Sequence, residues 1–220
     1  MLPINEIFQT IQGEAKWTGT PALFIRLQGC PVGCGWCDTK HTWTQHPAHE
    51  VAAPAMLNKT QDSEKFAKLT AEQVGKIVSV YPAKHVVFTG GEPAIYDLRE
   101  VSNLILSMGR TVQLETSGTH EIKIDPCAFV TVSPKVNMPG GFVVRQDALL
   151  RADEIKHPVG KQADIDNLLT LLSDKGVSDD TPVWLQPLSQ SPKATELCIE
   201  AATRYGWRLS IQTHKFIGVR

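Results

Sequence analysis

"ALFIRLQGCPVGCGWCDTKHTW", residues 22–43, joins a run of β-forming residues directly to three closely spaced cysteines. Residues 22–28 are rich in apolar and branched side chains and predict a buried strand. Cys30, Cys34 and Cys37 follow within eight positions, and no fourth cysteine lies nearby. The stretch therefore predicts a strand whose carboxyl end leads into a loop with three thiol ligands.

The pattern that begins with this strand repeats along the chain. Apolar residues at helical spacing, around 74–78, 98–108 and 165–172, fall between short β-rich runs. The further strand candidates are 85–89, 111–115, 128–132, 153–157, 183–187 and 208–212. Strands separated by helices indicate a mainly parallel sheet, and about seven of them favour an α/β fold of the partial, open (β/α) barrel kind over a full eightfold barrel.

The remaining segments complete the expected organisation. Residues 3–14 could themselves begin as a strand, 70–73 form a capping box, and 191–192 suit the start of the last helix. The segment at about 44–69 lacks clear periodicity and is interpreted as an insertion. Residues 1–220 are expected to form a single domain, because the length fits one domain of generous size.

Composition excludes several classes of partner. The 220 residues carry 22 Lys and Arg against 23 Asp and Glu, a formal net charge of -1, so there is no broad basic field for a nucleic acid. No apolar run approaches the length of a membrane span, and the N-terminus does not resemble a secretion signal. A cytoplasmic protein with reduced cysteines, no direct nucleic-acid contact and no membrane contact is expected.

Polar clusters follow the strand candidates one after another. Ligands bind at the carboxyl ends of the strands in parallel α/β sheets, so these clusters should converge on one rim and one active site. The clusters are "GCPVGC", "GGEP" at 90–93, "TSG" at 116–118, "SPK" at 133–135, "QPLS" at 186–189 and "QTHK" at 212–215.

Two kinds of metal centre fit three thiols. A structural zinc site needs a fourth ligand, which His41, His46 or His49 could supply. A [4Fe–4S] cluster with one iron left free for a substrate needs only three thiolates. The C-x3-C-x2-C spacing, with Trp36 before the third cysteine, resembles the radical S-adenosylmethionine (SAM) superfamily and favours the cluster. Cys127 and Cys198 are interpreted as small buried hydrophobic residues.

That resemblance assigns roles to neighbouring residues. In the superfamily, SAM chelates the open iron, and one electron from the cluster releases a 5′-deoxyadenosyl radical. Gly90 and Gly91 would let the backbone approach the methionine end of SAM, and Glu92 would accept from its ammonium group. Gly-Gly alone would more often be a simple turn. Trp36, by default a packing residue, has a ring face that suits adenine.

Within the superfamily the chain resembles the 7-carboxy-7-deazaguanine synthase family of queuosine biosynthesis. The resemblance runs nearly end to end, although Ala15 stands where the family usually has glycine and the 44–69 segment differs from shorter members. It is carried by "EIFQTIQGE" at 6–14, "FIRLQGC" at 24–30, "CDTKHTW" at 37–43, "TGGEP" at 89–93, "ETSGT" at 115–119, "SPK" at 133–135, "DEIKHPVG" at 153–160 and "QTHK" at 212–215. It implies a lyase that contracts the ring of 6-carboxy-5,6,7,8-tetrahydropterin to 7-carboxy-7-deazaguanine with loss of ammonia, using a [4Fe–4S] cluster, SAM and Mg²⁺.

The resemblance also implies the site residues. Arg26 would hold the substrate carboxylate through a bidentate pair, its ordinary alternative being a surface salt bridge. Thr39 would bind Mg²⁺, with Asp38 as a secondary candidate. Ile11, Gln12, Gly13, Glu14 and Thr89 would complete the substrate site; Ser133, Pro134 and Lys135 would bind SAM with Gly90, Gly91, Glu92 and Trp36; Gln186 and His214 are secondary rim residues.

Two rival functions remain open on sequence. An activase that generates a glycyl radical on a partner shares the cluster motif but needs neither a pterin pocket nor a magnesium residue. A non-enzymatic zinc module would use the same cysteines. The family resemblance further implies an electron donor such as a flavodoxin or ferredoxin, and a homodimer.

Overall fold

A computed structural model describes residues 1–219. The chain builds one nine-stranded sheet whose strands are β1 Leu2–Ile11, β2 Pro21–Leu27, β3 Ala67–Leu69, β4 His85–Gly90, β5 Thr111–Thr116, β6 Phe129–Val132, β7 Glu154–Val159, β8 Val183–Pro187 and β9 Arg208–Leu209. The order in space is β3-β1-β2-β4-β5-β6-β7-β8-β9. Strands β2 and β4 to β9 run parallel to one another, whereas β1 is antiparallel to both β2 and β3. The outermost strands β3 and β9 do not pair, so the predicted open, mainly parallel α/β sheet is confirmed.

Seven helices accompany the sheet within the described residues. They are α1 Ala53–Leu57, α2 Ala71–Ser79, α3 Arg99–Ser107, α4 Gln146–Arg151, α5 Gln162–Lys175, α6 Pro192–Tyr205 and α7 Thr213–Ile217. The capping box is present, since Thr70 and Gln73 each accept from the other's backbone N–H. Ser191 caps α6 with Pro192 in its first turn, as predicted. None of these helices has the length and apolar character needed to cross a membrane.

Alternation along the strands separates the core from the site. In β2, Leu23, Ile25 and Leu27 belong to the hydrophobic core, whereas Phe24 and Arg26 line a pocket. Successive side chains of a strand point to opposite faces, so the other strands divide in the same way. The helices pack on the apolar outer face, and the inner face, toward the pocket, carries mainly polar side chains.

In three places the structure differs from, or adds to, what the sequence predicts. The strand predicted at 208–212 ends at Leu209, because Ser210 turns its hydroxyl toward Ala15 N and Gln186 and the chain then enters α7. The segment at 44–69 contains α1 and β3 and buries Met56 and Phe66 against the sheet. Its origin as an insertion, and the single-domain boundaries, stay predictions.

The third difference concerns a cysteine. Cys198 is fully buried as predicted, but Cys127 is exposed in the turn before β6, where its backbone N–H donates to Asp125. The prediction that Cys127 is a buried hydrophobic residue is wrong, because the turn before the strand keeps it outside the core.

The family difference at Ala15 has a local consequence. Ala15 is buried and has a φ of 52°, in the left-handed region that favours glycine. Its N–H donates to Ser210 at 2.9 Å, which helps to hold the residue in that conformation. The alanine therefore introduces local backbone strain just after residues 11–14.

Candidate active site

A pocket of about 390 Å³ lies at the carboxyl ends of the parallel strands. It gathers side chains from segments that are far apart in sequence, as expected for the rim of such a sheet. The predicted residues that line it are Gln12, Glu14, Arg26, Cys30, Cys34, Trp36, Cys37, Asp38, Thr39, Thr89, Gly90, Gly91, Glu92, Ser133, Lys135, Gln186 and His214. Of the predicted residues, Ile11, Gly13 and Pro134 do not line it; Pro134 borders a smaller cavity next to it.

The cysteine loop is held in shape by its own backbone. Gly29 N and Cys30 N donate to the carbonyls of Thr42 and Trp43, and Cys37 N donates to Cys34 O. Burial raises the pKa of the Cys30 and Cys34 thiols. These thiols therefore need a bound metal to become thiolates at neutral pH.

The histidine nearest in sequence to the thiols has other neighbours. Among residues 1–219, Glu6, His41 and Asp62 bring three possible ligand atoms within 4.8 Å of one another. His41 therefore lies with carboxylates instead of the thiols. His46 accepts from Ala48 N, and His49 lies 3.0 Å from Glu64.

The Gly-Gly-Glu loop packs on the start of the cysteine loop. Gly90 has a φ of 113°, and a Cβ on Gly91 would lie 2.1 Å from Gly29 O. Gly91 N and Glu92 N donate to Leu27 O and Gly29 O at 2.9 and 2.8 Å. Only glycines permit this approach of two backbones. The arrangement leaves main chain, without side chains, beside the cysteines.

The Glu92 carboxylate is already engaged by the protein. It accepts from Ala94 N at 2.9 Å, from Thr116 Oγ1 at 2.6 Å and from Ser117 N at 2.8 Å. It thus ties the loop after β4 to the end of β5. Its predicted role as acceptor for an ammonium group stays a prediction, and its visible role is to fix this part of the rim.

Lys135 and Trp36 form the opposite wall. Lys135 Nζ donates to Ser133 O at 3.1 Å and to Ser133 Oγ, and it lies 5.1 Å from the centre of the Trp36 ring. Burial lowers the pKa of Lys135. The ring of Trp36 is partly exposed to the pocket, which leaves its face accessible to a planar ligand.

A charged cluster forms the floor of the pocket. Lys156 Nζ donates to Glu14 Oε2 and, at 3.1 Å, to Glu115 Oε1. Glu14 also accepts from Gln186 and Gln212 at 3.2 and 2.8 Å. Although burial opposes it, the ion pair with Lys156 and these hydrogen bonds lower the pKa of Glu14 to about 2. The two carboxylates therefore share one buried cation and leave a net negative charge.

Gln12 is bound to this cluster through both ends of its amide. Its Nε2 donates to Gln113 Oε1 and Glu115 Oε1 at 3.3 Å each, and its Oε1 accepts from Glu14 N at 3.1 Å. With 2% of its surface exposed, Gln12 has little amide left for a ligand. Its clearest role in this structure is to orient Glu115.

Arg26 lies on the wall next to the cysteines. Its Nε donates to Glu6 Oε1 at 2.7 Å, and its guanidinium carbon lies 5.6 Å from the centre of the Phe8 ring. Among residues 1–219 its Nη1 and Nη2 atoms make no hydrogen bond. Both the salt bridge and an open donor edge are therefore present in one side chain.

The candidate magnesium residues lie beside Cys37. Thr39 Oγ1 is 3.5 Å from Cys37 Sγ, and Asp38 Oδ2 is 4.0 Å from Lys215 Nζ. His214, whose pKa burial lowers, packs against Gly13. The hydroxyl oxygen of Thr39 and the carboxylate oxygens of Asp38 lie at the edge of the pocket, and such oxygens are the ligands that Mg²⁺ prefers.

Sequence reasoning missed Lys156, Glu115 and Gln113. A signal was available, because the inward positions 113 and 115 of β5, and 154 and 156 of β7, are all polar in strands that parallel sheets usually make apolar. Alternation of polar residues in a buried parallel strand indicates an inner face that binds a ligand or carries a hydrogen-bond network.

Comparisons with known proteins agree with this geometry. A model of the radical SAM superfamily matches residues 24–132. The chain is 52% identical to the 7-carboxy-7-deazaguanine synthase of Escherichia coli K12, over 99% of this chain and 98% of that protein, and 40% identical to that of Buchnera aphidicola, over 99% of both. It is similar to the crystal structure of QueE from Escherichia coli, with a TM-score of 0.92 and 51% identity over 96% of this chain and 93% of that chain.

These similarities decide between the two interpretations of the cysteine loop, a [4Fe–4S] cluster and a zinc site. They support a [4Fe–4S] cluster and SAM as cofactors and do not support a glycyl-radical activase. They do not support a non-enzymatic zinc module either. The chain belongs to the 7-carboxy-7-deazaguanine synthase family of radical SAM enzymes.

Proposed function

We propose that this chain catalyses the reaction that gives its family its name, the contraction of 6-carboxy-5,6,7,8-tetrahydropterin to 7-carboxy-7-deazaguanine with release of ammonia. The observation that carries the proposal is that one pocket brings three cysteines, an arginine and the partly buried carboxylates of Glu14 and Glu115 together. When bound, the cluster and SAM supply a carbon radical that removes one hydrogen atom from the substrate. The chain's own residues bind, orient and shield the reactants.

The cofactor side of the pocket is formed by the cysteine and glycine loops. Cys30, Cys34 and Cys37 would hold three irons, and the backbone at Gly90 and Gly91 would receive the methionine part of SAM. Lys135 and Ser133 offer donors to its carboxylate or ribose. The Trp36 ring would stack on the adenine.

The substrate side is formed by Arg26 and the charged floor. A pterin presents N–H donors along its pyrimidine edge, and the oxygens of the Glu14 and Glu115 side chains are acceptors for such donors. Thr89 Oγ1 donates to Glu115 Oε2 at 3.1 Å and so fixes that carboxylate in place. The open Nη edge of Arg26 would pair with the substrate carboxylate. We further propose that Thr39 binds Mg²⁺ together with substrate oxygens and water, with Asp38 nearby.

Replacement of Arg26 by alanine is expected to raise the KM for the pterin by about 10- to 100-fold, because it removes a charge-assisted hydrogen bond worth about 1.5–3 kcal/mol. Cluster content, measured as iron, sulfide and visible absorption, should stay normal. Arg26→Lys keeps the positive charge but loses the planar guanidinium group. Its KM should lie between those of the wild type and Arg26→Ala. An unchanged KM in Arg26→Ala would exclude Arg26 as the carboxylate ligand.

Two further proposals rest on the family resemblance. A one-electron donor protein such as a flavodoxin or ferredoxin would reduce the cluster, and two copies of the chain would form a homodimer. Sedimentation at several concentrations tests the dimer. Turnover with a purified reduced flavodoxin in place of a chemical reductant tests the donor.

The function is tested directly with the purified protein. It is reconstituted without oxygen using iron and sulfide, and then given reductant, Mg²⁺, SAM and 6-carboxy-5,6,7,8-tetrahydropterin. Mass spectrometry should detect 7-carboxy-7-deazaguanine. Cleavage of SAM without that product would overturn the substrate assignment while keeping the superfamily; a protein that assembles no cluster would overturn both.

A further inference from the structure

Glu6 and Arg26 face each other across strands β1 and β2. Their Cα atoms are direct partners in the antiparallel register, and the register of β1 shifts between Ile4 and Glu6. An extra residue at such a bulge turns the side chains on its two sides to opposite faces of the sheet. Ile4 therefore lies in the hydrophobic core, whereas Glu6 lies on the same face as Arg26, which lines the pocket.

The protein holds the Arg26 side chain through three contacts. Its Nε donates to Glu6 Oε1 at 2.7 Å, and its guanidinium carbon lies 5.6 Å from the centre of the Phe8 ring. A Cβ on Gly90 would lie 2.5 Å from Arg26 Cγ, so the glycine leaves room for the aliphatic part of the side chain. The side chains of Arg26 and Glu6 are only 17% and 7% exposed. The plane of the guanidinium is thus set by the protein itself.

The contact with Glu6 limits how a carboxylate can reach Arg26. A guanidinium can pair with a carboxylate through Nε and one Nη atom, or end-on through its two Nη atoms. Glu6 engages Nε, so the end-on edge is the one left for a ligand in the pocket. Glu6 itself does not line the pocket, and its effect on a ligand must pass through Arg26.

We propose that Glu6 is a positioning residue that orients Arg26 for end-on pairing of its two Nη atoms with the carboxylate of the pterin. The inference rests on the proposed function, in which Arg26 binds that carboxylate. It makes Glu6 a determinant of the selectivity for carboxylated pterins. The orienting group is the acceptor oxygen, which Glu6→Gln keeps without the charge and Glu6→Ala lacks.

The test measures binding and needs no turnover. Calorimetry on the anaerobically reconstituted protein, with SAM and Mg²⁺ but no reductant, compares 6-carboxypterin with pterin, which lacks only the carboxylate. The wild type should bind 6-carboxypterin about 10- to 100-fold more tightly, the range expected for hydrogen bonds to a charged group. In Glu6→Ala this ratio should fall by about tenfold, as expected when such a hydrogen bond is misaligned. Glu6→Gln should keep the wild-type ratio.

Two controls show whether Glu6 acts through Arg26. Glu50 forms an exposed ion pair with Lys68 and does not line the pocket, so Glu50→Ala should keep the wild-type ratio. The double variant Glu6→Ala/Arg26→Ala should show the same ratio as Arg26→Ala alone, because the effects of residues that act as one unit do not add. The ratio within one variant is independent of any partial loss of folded protein.

The outcomes separate this inference from the proposed function. An unchanged ratio in Glu6→Ala would overturn the inference and leave the role of Arg26 intact. An equal loss in Glu6→Gln and Glu6→Ala would also overturn it, because charge and not orientation would then be responsible. A wild type that bound the two compounds equally would overturn the proposed role of Arg26 and the inference with it.

Discussion

Lys156→Met is expected to abolish detectable turnover and to reverse the dependence of stability on pH. Among residues 1–219, Lys156 is the one cation paired with both Glu14 and Glu115, and its side chain is 8% exposed. Breaking a buried ion pair by removing one partner typically costs about 3–5 kcal/mol, because the remaining charge is left without compensation. One carboxylate should then take up a proton, and the pterin would lose an anionic acceptor.

The sign of the pH effect follows from Glu14. In the wild type its pKa is lowered from 4.5 to about 2, so its contribution to stability is present above pH 4.5 and is lost as the pH falls toward 2. Burial alone raises this pKa. In Lys156→Met the raised pKa should make Glu14 destabilising as the pH rises above 4.5. Urea unfolding from pH 5 to pH 8 should show falling stability for the variant and no such fall from this group in the wild type.

An exposed ion pair provides the matched control. Lys68 pairs with Glu50 at 2.8 Å on the surface, and Lys68→Met should change the free energy of unfolding by less than about 1 kcal/mol at any of these pH values. Parallel pH profiles for Lys156→Met and wild type, with normal turnover, would contradict the role given to the buried cluster.

Cys34→Ala should remove the cluster and all turnover. Three thiolates are the minimum for a [4Fe–4S] cluster with one open iron, so the loss of one of them should prevent assembly of the cluster. Iron and sulfide analysis and visible absorption after anaerobic reconstitution measure the loss. Cys127→Ala is the matched control, because Cys127 is exposed and does not line the pocket. This variant should assemble a full cluster. A normal cluster in Cys34→Ala would show that the ligand assignment is wrong.

The sequence predicted the parts of the fold that depend on local patterns. Local patterns correctly predicted the strand at 22–28, the cap at Thr70 and the start of α6. Alternation, capping and proline geometry each depend on only a few neighbouring residues. Strand β9 was overestimated because its end is set by the contact of Ser210 with Ala15, 195 positions away. Contacts of that separation leave no local pattern.

The same distinction between local patterns and distant contacts applies to the residues of the candidate site. Residues that follow strands, such as Thr89 and Lys135, could be placed at the rim from the fold class alone. The partners of Gln12 and Glu92 could not, and those partners determine that both side chains are largely engaged by the protein. Residue type suggests which chemistry is available, and three-dimensional neighbours determine which atoms are left to perform it.

Residues 212–213 meet residues 13–14 at the pocket, and this affects the order in which the site can form. Thr213 N donates to Gly13 O at 3.0 Å, and Gln212 donates to Glu14. Synthesis runs from the N-terminus, so Glu14 gains the Gln212 partner only after residue 212 has been made. We expect the substrate side of the pocket to form late, after the cysteine loop, so that insertion of the cluster can precede closure of the site.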